Sequence, residues 1–218
     1  MSVILKSGAV IGMALLAGCG DLATTGVGPR VIGALFPSMA APPVAVANAP
    51  DFNPEAIVAD PGKYAIFTIN ALAVQAPGRI IQDNGAEQTF ASQSGFTASY
   101  RDGLLIATRG LGDDLMASDT GQVRQVLAQG GGTAQRAVDF LDDFDRISTM
   151  RFDCEIVAQG QEVVDLGLRQ PSLSKFEETC TSPKLVFTNI YWLDSTGDIL
   201  QSRQFVSQTV AYLRVNRL

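Results

Sequence analysis

Phe187-Thr188-Asn189-Ile190-Tyr191-Trp192-Leu193-Asp194-Ser195-Thr196-Gly197-Asp198-Ile199-Leu200-Gln201-Ser202-Arg203-Gln204-Phe205-Val206 reads as strand, turn, strand. β-Branched and aromatic residues fill both arms, and a Ser-Thr-Gly-Asp turn joins them. Period-two alternation puts Asn189, Tyr191 and Leu193 on one face and Ile190 and Trp192 on the other. The arms extend to 184–193 and 199–206, and a third strand follows at 209–215.

Working back along the chain, the same grammar recurs. Tyr64-Ala65-Ile66-Phe67-Thr68-Ile69 is a strong strand former. Turn pairs Asn84-Gly85, Ser94-Gly95 and Asp102-Gly103 then punctuate the chain every eight to ten residues, as in an antiparallel meander. Residues 104–109 are apolar on both faces for most of their length, which predicts a central strand. Asp119 is placed to cap a short helix over 122–127 with Val123, Val126 and Leu127 buried, and Gly130-Gly131-Gly132 ends it. Further strands are expected at 134–141, 147–158 and 161–169. The expected fold is all-β, an antiparallel sandwich or partly closed barrel with one short helix.

The N-terminus has a different character. Lys6 precedes an apolar run that ends at Leu16-Ala17-Gly18-Cys19. That is a secretory signal whose cleavage site carries a cysteine, the thiol that accepts a diacylglyceryl group in bacterial lipoproteins. The apolar run is short of the roughly 20 residues a membrane span needs. Residues 1–18 are therefore read as signal peptide, 19–60 as a lipidated tether and 61–218 as the β-rich domain. Pro29, Pro37, Pro42, Pro43, Pro50, Pro54 and Pro61 exclude a long helix or a central strand from the tether. Gly20, rather than an aspartate, follows the cysteine, which favours the outer membrane.

Composition closes off several function classes. The full chain carries a net charge of −6, and loss of Lys6 with the leader makes the mature charge −7. No nucleic-acid partner is expected of such a chain. It contains no histidine, so Ser-His-Asp and Cys-His catalysis are excluded within it. No cofactor and no metal site is expected. With Cys19 acylated, Cys154 and Cys180 remain, and one disulfide is the simplest use of two exported cysteines. A reactive or metal-binding thiol pair is the alternative.

Arg101-Asp102-Gly103-Leu104-Leu105-Ile106-Ala107-Thr108-Arg109-Gly110-Leu111-Gly112-Asp113-Asp114-Leu115-Met116 and the stretch Phe187 to Asp194, followed by Gln201-Ser202-Arg203-Gln204, resemble the YjbF/GfcB family of capsule and exopolysaccharide lipoproteins. The lipobox and the two later cysteines strengthen the likeness, which covers roughly 60–218. It implies an all-β periplasmic lipoprotein tied to polysaccharide production or export. It brings no catalytic residues with it.

The candidate contact residues have competing uses. Asp113 and Asp114, in a glycine-flanked loop beside Arg109, could serve acid/base or cation chemistry; a capped surface turn with Arg109 as an ion-pair partner is the plainer reading. Tyr191, Gln201, Arg203 and Gln204 offer the aromatic, amide and cationic groups that glycans use. Tyr191 is expected at the surface and Trp192 in the core with its N–H bonded internally. Arg203 is expected to pair with Asp198 or with a glycan carboxylate. Ser174-Lys175 lacks an oxyanion loop, and Asp142-Asp143 and Glu177-Glu178 read as surface charge. The leading expectation is a non-enzymatic envelope accessory, moored through Cys19, that binds polysaccharide or an export component. A polysaccharide-modifying enzyme and a purely structural lipoprotein are the alternatives.

Overall fold

The computed structural model describes residues 52–142 and 144–218. The leader, Cys19, most of the expected tether and Asp143 lie outside the described residues. A short helix, α1 (Pro54–Ala59), starts at Asn53, whose side chain accepts the Glu55 N–H. No residue of α1 is buried.

Twelve strands follow: β1 (Tyr64–Ile69), β2 (Val74–Asn84), β3 (Glu87–Ser92), β4 (Thr97–Arg101), β5 (Leu104–Arg109), β6 (Ala117–Asp119), β7 (Gly132–Leu141), β8 (Ile147–Val163), β9 (Ser172–Thr181), β10 (Val186–Leu193), β11 (Ile199–Ser207) and β12 (Ala211–Arg217). The helix α2 (Gly121–Ala128) lies between β6 and β7. The strands form one antiparallel sheet in the order β5-β4-β3-β2-β1-β12-β11-β10-β9-β8-β7-β6. The sheet curls until its two ends meet. The Thr108 N–H of β5 reaches the Leu115 carbonyl just before β6 at 2.9 Å, giving a nearly closed barrel. The all-β expectation holds, and of its two forms the barrel is realised.

Alternation drives the closure. Phe67, Phe90, Phe152, Phe187, Leu213 and Val215 point inward from five strands and are essentially without solvent exposure. Edge-to-face ring contacts, such as Phe67 on Phe90 at 5.7 Å and Phe152 on Phe187 at 5.0 Å, tie next-but-one strands of the wall together. On β2, Gly78 leaves room for the Phe67 ring, because a Cβ there would sit 2.3 Å from it. α2 inserts Val123 and Leu127 into a second cluster with Leu104, Ile156, Tyr191 and Ile199. The helix starts at Gly121, one residue before the expected start. Its N-cap is Thr120, not Asp119, although Asp119 still accepts the Gly121 N–H.

Three expectations change. Residues 147–158 and 161–169 are not two strands: β8 runs unbroken to Val163, with a bulge between Ala158 and Gly160 that absorbs the apparent gap. A whole strand, β9, stands where none is expected, because Lys175, Glu177 and Glu178 mask its alternation. Residues 104–109 form an end of the sheet rather than its centre. They are apolar on both faces because β5 lies at the seam and contributes Leu105 to one core cluster and Leu104 to the other.

Candidate functional site

The barrel interior holds an ionic cluster. Glu178, on β9, is fully buried and receives Arg136 from β7 through two bonds of 3.1 and 3.0 Å. The Tyr191 hydroxyl donates to the same carboxylate at 2.5 Å and the Asn189 amide at 2.7 Å. Arg136 also donates to Ser118 on β6. Burial works against the charge on Arg136, but the Glu178 carboxylate outweighs it, so its proton is held more tightly than in a free arginine. Glu178 is thus the reverse of the surface charge expected of it. Tyr191, expected at the surface, is fully buried for the same reason: its strand face is the inner one.

Cys154 and Cys180 are cross-strand partners on β8 and β9 and are joined by a disulfide. Ligand atoms of Cys154, Cys180 and Glu178 lie within 4.8 Å of one another. The sulfurs are bonded to each other, and the carboxylate is engaged by Arg136, Asn189 and Tyr191.

The other sequence candidates scatter. Asp114 accepts from the Thr108 hydroxyl and from the Gly110 and Leu111 N–H groups, as the cap of its own loop. Arg109 does not pair with it; its guanidinium holds the Leu115 and Met116 carbonyls. Asp113 lines a depression at the same end of the barrel with Lys184 and Gln208. Gln204 points inward and spans to β5, accepting the Leu105 N–H and donating to the Gly103 carbonyl. Gln201 is buried and bonds Asn216. Arg203 does not reach Asp198. It stacks on Tyr212 at 4.3 Å and donates to the Thr188 carbonyl, directly opposite Arg214 on the neighbouring strand. Trp192 is buried, but outside the barrel wall, under Val164, Leu166 and Leu173, with its N–H on Glu162.

The β2–β3, β4–β5, β8–β9 and β10–β11 connections all gather at the end of the barrel where β12 finishes. They enclose a cleft of about 370 Å³. Gly103, at φ +80°, makes the tight turn in one wall, and a Cβ there would press on Ile199. Arg217 and Tyr100 line the cleft from the inner wall, with Gln88 beside them and Arg169, Asp102 and Asp198 at the rim. Arg217 donates to Gln88 and lies 5.7 Å over the Phe90 ring. The Tyr100 hydroxyl is buried and makes no hydrogen bond to any described residue. A larger hollow of about 670 Å³ lies on the outer wall, but Gln122, Gln135, Asp153 and Glu155 make it an exposed polar surface with acids and no cation. The mouth is therefore the better candidate.

Comparison with known proteins bears on this barrel directly. The model of the YjbF family, group 4 capsule polysaccharide lipoprotein GfcB, matches residues 47–218. The chain belongs to this family. Membership makes it a cell-envelope lipoprotein of the capsule polysaccharide class. By structure, this YjbF-family chain is similar to the lipoprotein YmcC of Escherichia coli K12, at TM-score 0.63 and 21% identity over 74% of this chain and 86% of that one. An exported protein with a YmcC-like fold from Bacteroides fragilis aligns at TM-score 0.28 and 13% identity over 71% of this chain and 93% of that one. No curated protein matches the chain by sequence. The likeness to YmcC shows the barrel to be a fold shared within this group; it does not extend to a site.

Two buried phenols give the family member an alkaline limit. Burial raises both Tyr100 and Tyr191, the latter further through the Glu178 charge. Each folded-state phenol keeps its proton past the pH of about 10 at which an unfolded tyrosine ionises. Their contribution is complete below that pH, and stability falls as pH rises above it. Urea midpoints should drop between about pH 10 and pH 12, less steeply in Tyr191→Phe than in the parent when each is referred to its own midpoint at the lower pH. A flat profile in the parent protein would contradict the burial of these hydroxyls.

Proposed function

We propose that the protein is anchored by acyl chains on Cys19, in the outer membrane, and serves polysaccharide assembly or export without catalysing a reaction. In this reading residues 19–60 are the tether and the barrel is the working part, holding glycan or an export component near the membrane. The family match over residues 47–218 carries the reading. Three acyl chains on one cysteine make attachment effectively permanent, since each buried methylene contributes about 0.8 kcal/mol.

The placement of the carboxyls speaks against catalysis. Asp114 is used as a loop cap, and Asp113 lies at the end of the barrel away from the mouth. The mouth has its own pair, Asp102 and Asp198, but both are exposed at the rim. A glycosidic general acid needs a desolvated carboxyl that stays protonated, and an exposed one does not supply it.

The test is a deletion strain complemented with the parent gene or with Cys19→Ala, scored for surface polysaccharide. Surface polymer should be lost in the deletion and restored by the parent. The Cys19→Ala product should leave the membrane fraction and fail to restore it. Normal polymer in the deletion strain would defeat the proposal.

A further inference from the structure

Resting on the glycan-binding reading above, we infer that the barrel mouth binds a carboxylate-bearing sugar residue, with the carboxylate on Arg217 and Tyr100 and the sugar hydroxyls at the rim. Two independent observations converge on the inner wall of the cleft. Tyr100 is 4% exposed, and its hydroxyl has no hydrogen-bond partner among the described residues. A buried hydroxyl left without a partner is a cost that a folded chain normally avoids. Beside it, Arg217 is partly buried and enters none of the ion pairs among the described residues. Burial pulls its proton affinity down by more than the nearby Asp198 and Asp83 carboxylates raise it, so neither acid fully offsets the desolvation of the guanidinium. The side chain spends one donor on Gln88, and a guanidinium has five.

These two needs are met by one group. A carboxylate accepts a forked pair of N–H bonds from arginine and can take a phenol O–H as well. It would also offset the charge of Arg217 in the part of the cleft where water screens least. The rim is built differently. Asp102 and Asp198 are exposed acceptors, suited to hydroxyl donors, and Arg169 is an exposed donor opposite them. Deep cation and phenol, with acceptors at the lip, suit a ligand with one carboxylate and several hydroxyls. A uronic acid has this pattern. A neutral sugar would leave Arg217 with only the more distant Asp198 and Asp83 to offset it, and a bare inorganic anion would leave the rim unused. The cleft, at about 370 Å³, is at the small end of ligand pockets, enough for one or two sugar residues.

The experiment uses the lipidated protein in detergent micelles, titrated with trigalacturonate, with its methyl ester and with inorganic phosphate, and followed by NMR. Trigalacturonate should bind, and the uncharged ester should bind at least tenfold more weakly. Phosphate should bind no better than the ester. Tyr100→Phe should weaken trigalacturonate by about tenfold while leaving thermal stability equal or higher, because it removes a hydroxyl that the fold itself does not use. Arg217→Gln should weaken it further. Equal binding of acid and ester, tighter binding of phosphate, no binding of trigalacturonate, or an unaffected Tyr100→Phe variant would each overturn the assignment. Should the deletion strain lose polymer while trigalacturonate fails to bind, the ligand assignment falls and the envelope role stands.

Discussion

Glu178→Ala should destabilise the barrel by about 3 to 5 kcal/mol, among the largest effects available to a single substitution here. The reason is what remains behind. Arg136 is 5% exposed, and its partner carboxylate is fully buried, so the variant leaves a guanidinium in the interior with only Ser118 and Tyr191 to satisfy it. The Asn189 amide and the Tyr191 hydroxyl lose their acceptor as well. Each buried donor left unmade adds to the cost. The pair itself is a different matter. Removing two charges from water is expensive, and a well-packed apolar pair can be as stable or more so. Arg136→Met with Glu178→Leu should therefore recover much of what Glu178→Ala loses. Urea unfolding of the three proteins checks both statements. A loss below about 1 kcal/mol in the single variant would mean that water reaches the cluster and screens it.

This cluster also shows where sequence reading succeeds and fails. Alternation located ten of the twelve strands at least approximately, because apolar side chains at every second position have one physical use: facing the inside of a sheet. It failed where the inner face is polar. Residue type alone sends Glu178 to solvent, since acids are seldom buried. Yet Phe176-Glu177-Glu178-Thr179-Cys180 places Glu178 on the same face as Cys180, and alternation in Phe152-Asp153-Cys154-Glu155-Ile156 puts its partner Cys154 with Phe152 and Ile156 on an apolar, inward face. The signal was present, and charge overrode it. Tyr191 repeats the lesson, sharing a face with Leu193 that proved to be the inner one. On β11, Ser202 and Gln204 continue the polar interior, and Gln204 reaches across to β5 at the seam. The mouth had no comparable local signal. Gln88, Tyr100, Arg169 and Arg217 come from four separate parts of the chain, and only the curling of the sheet brings them together. No spacing of residues encodes that meeting.

Removing the disulfide with Cys154→Ala and Cys180→Ala should lower stability by about 3.5 kcal/mol through chain entropy alone. That figure follows from the 26-residue separation of the two cysteines, which the cross-link takes out of the unfolded chain's freedom. The long β8–β9 hairpin would still form, because its ladder is continuous on both sides of the bulge. The loss should therefore appear in the urea midpoint, and in a steeper urea dependence as the unlinked chain unfolds to a more open state. Both cysteines are buried, at 3% and 0% exposure, so a reductant added to the parent protein should act only as fast as the hairpin opens. Reduction and unfolding should then share one rate. The site also sits against the ionic cluster, with Glu178 beside the two sulfurs. Neighbours of this kind do not act independently, and the triple variant with Glu178→Ala should depart from the sum of the separate losses by at least about 0.5 kcal/mol. Full additivity would mean that the disulfide acts on the unfolded chain alone. A stability change within about 1 kcal/mol on removing both cysteines would mean that the hairpin is held by its ladder and packing, with the cross-link adding little to either.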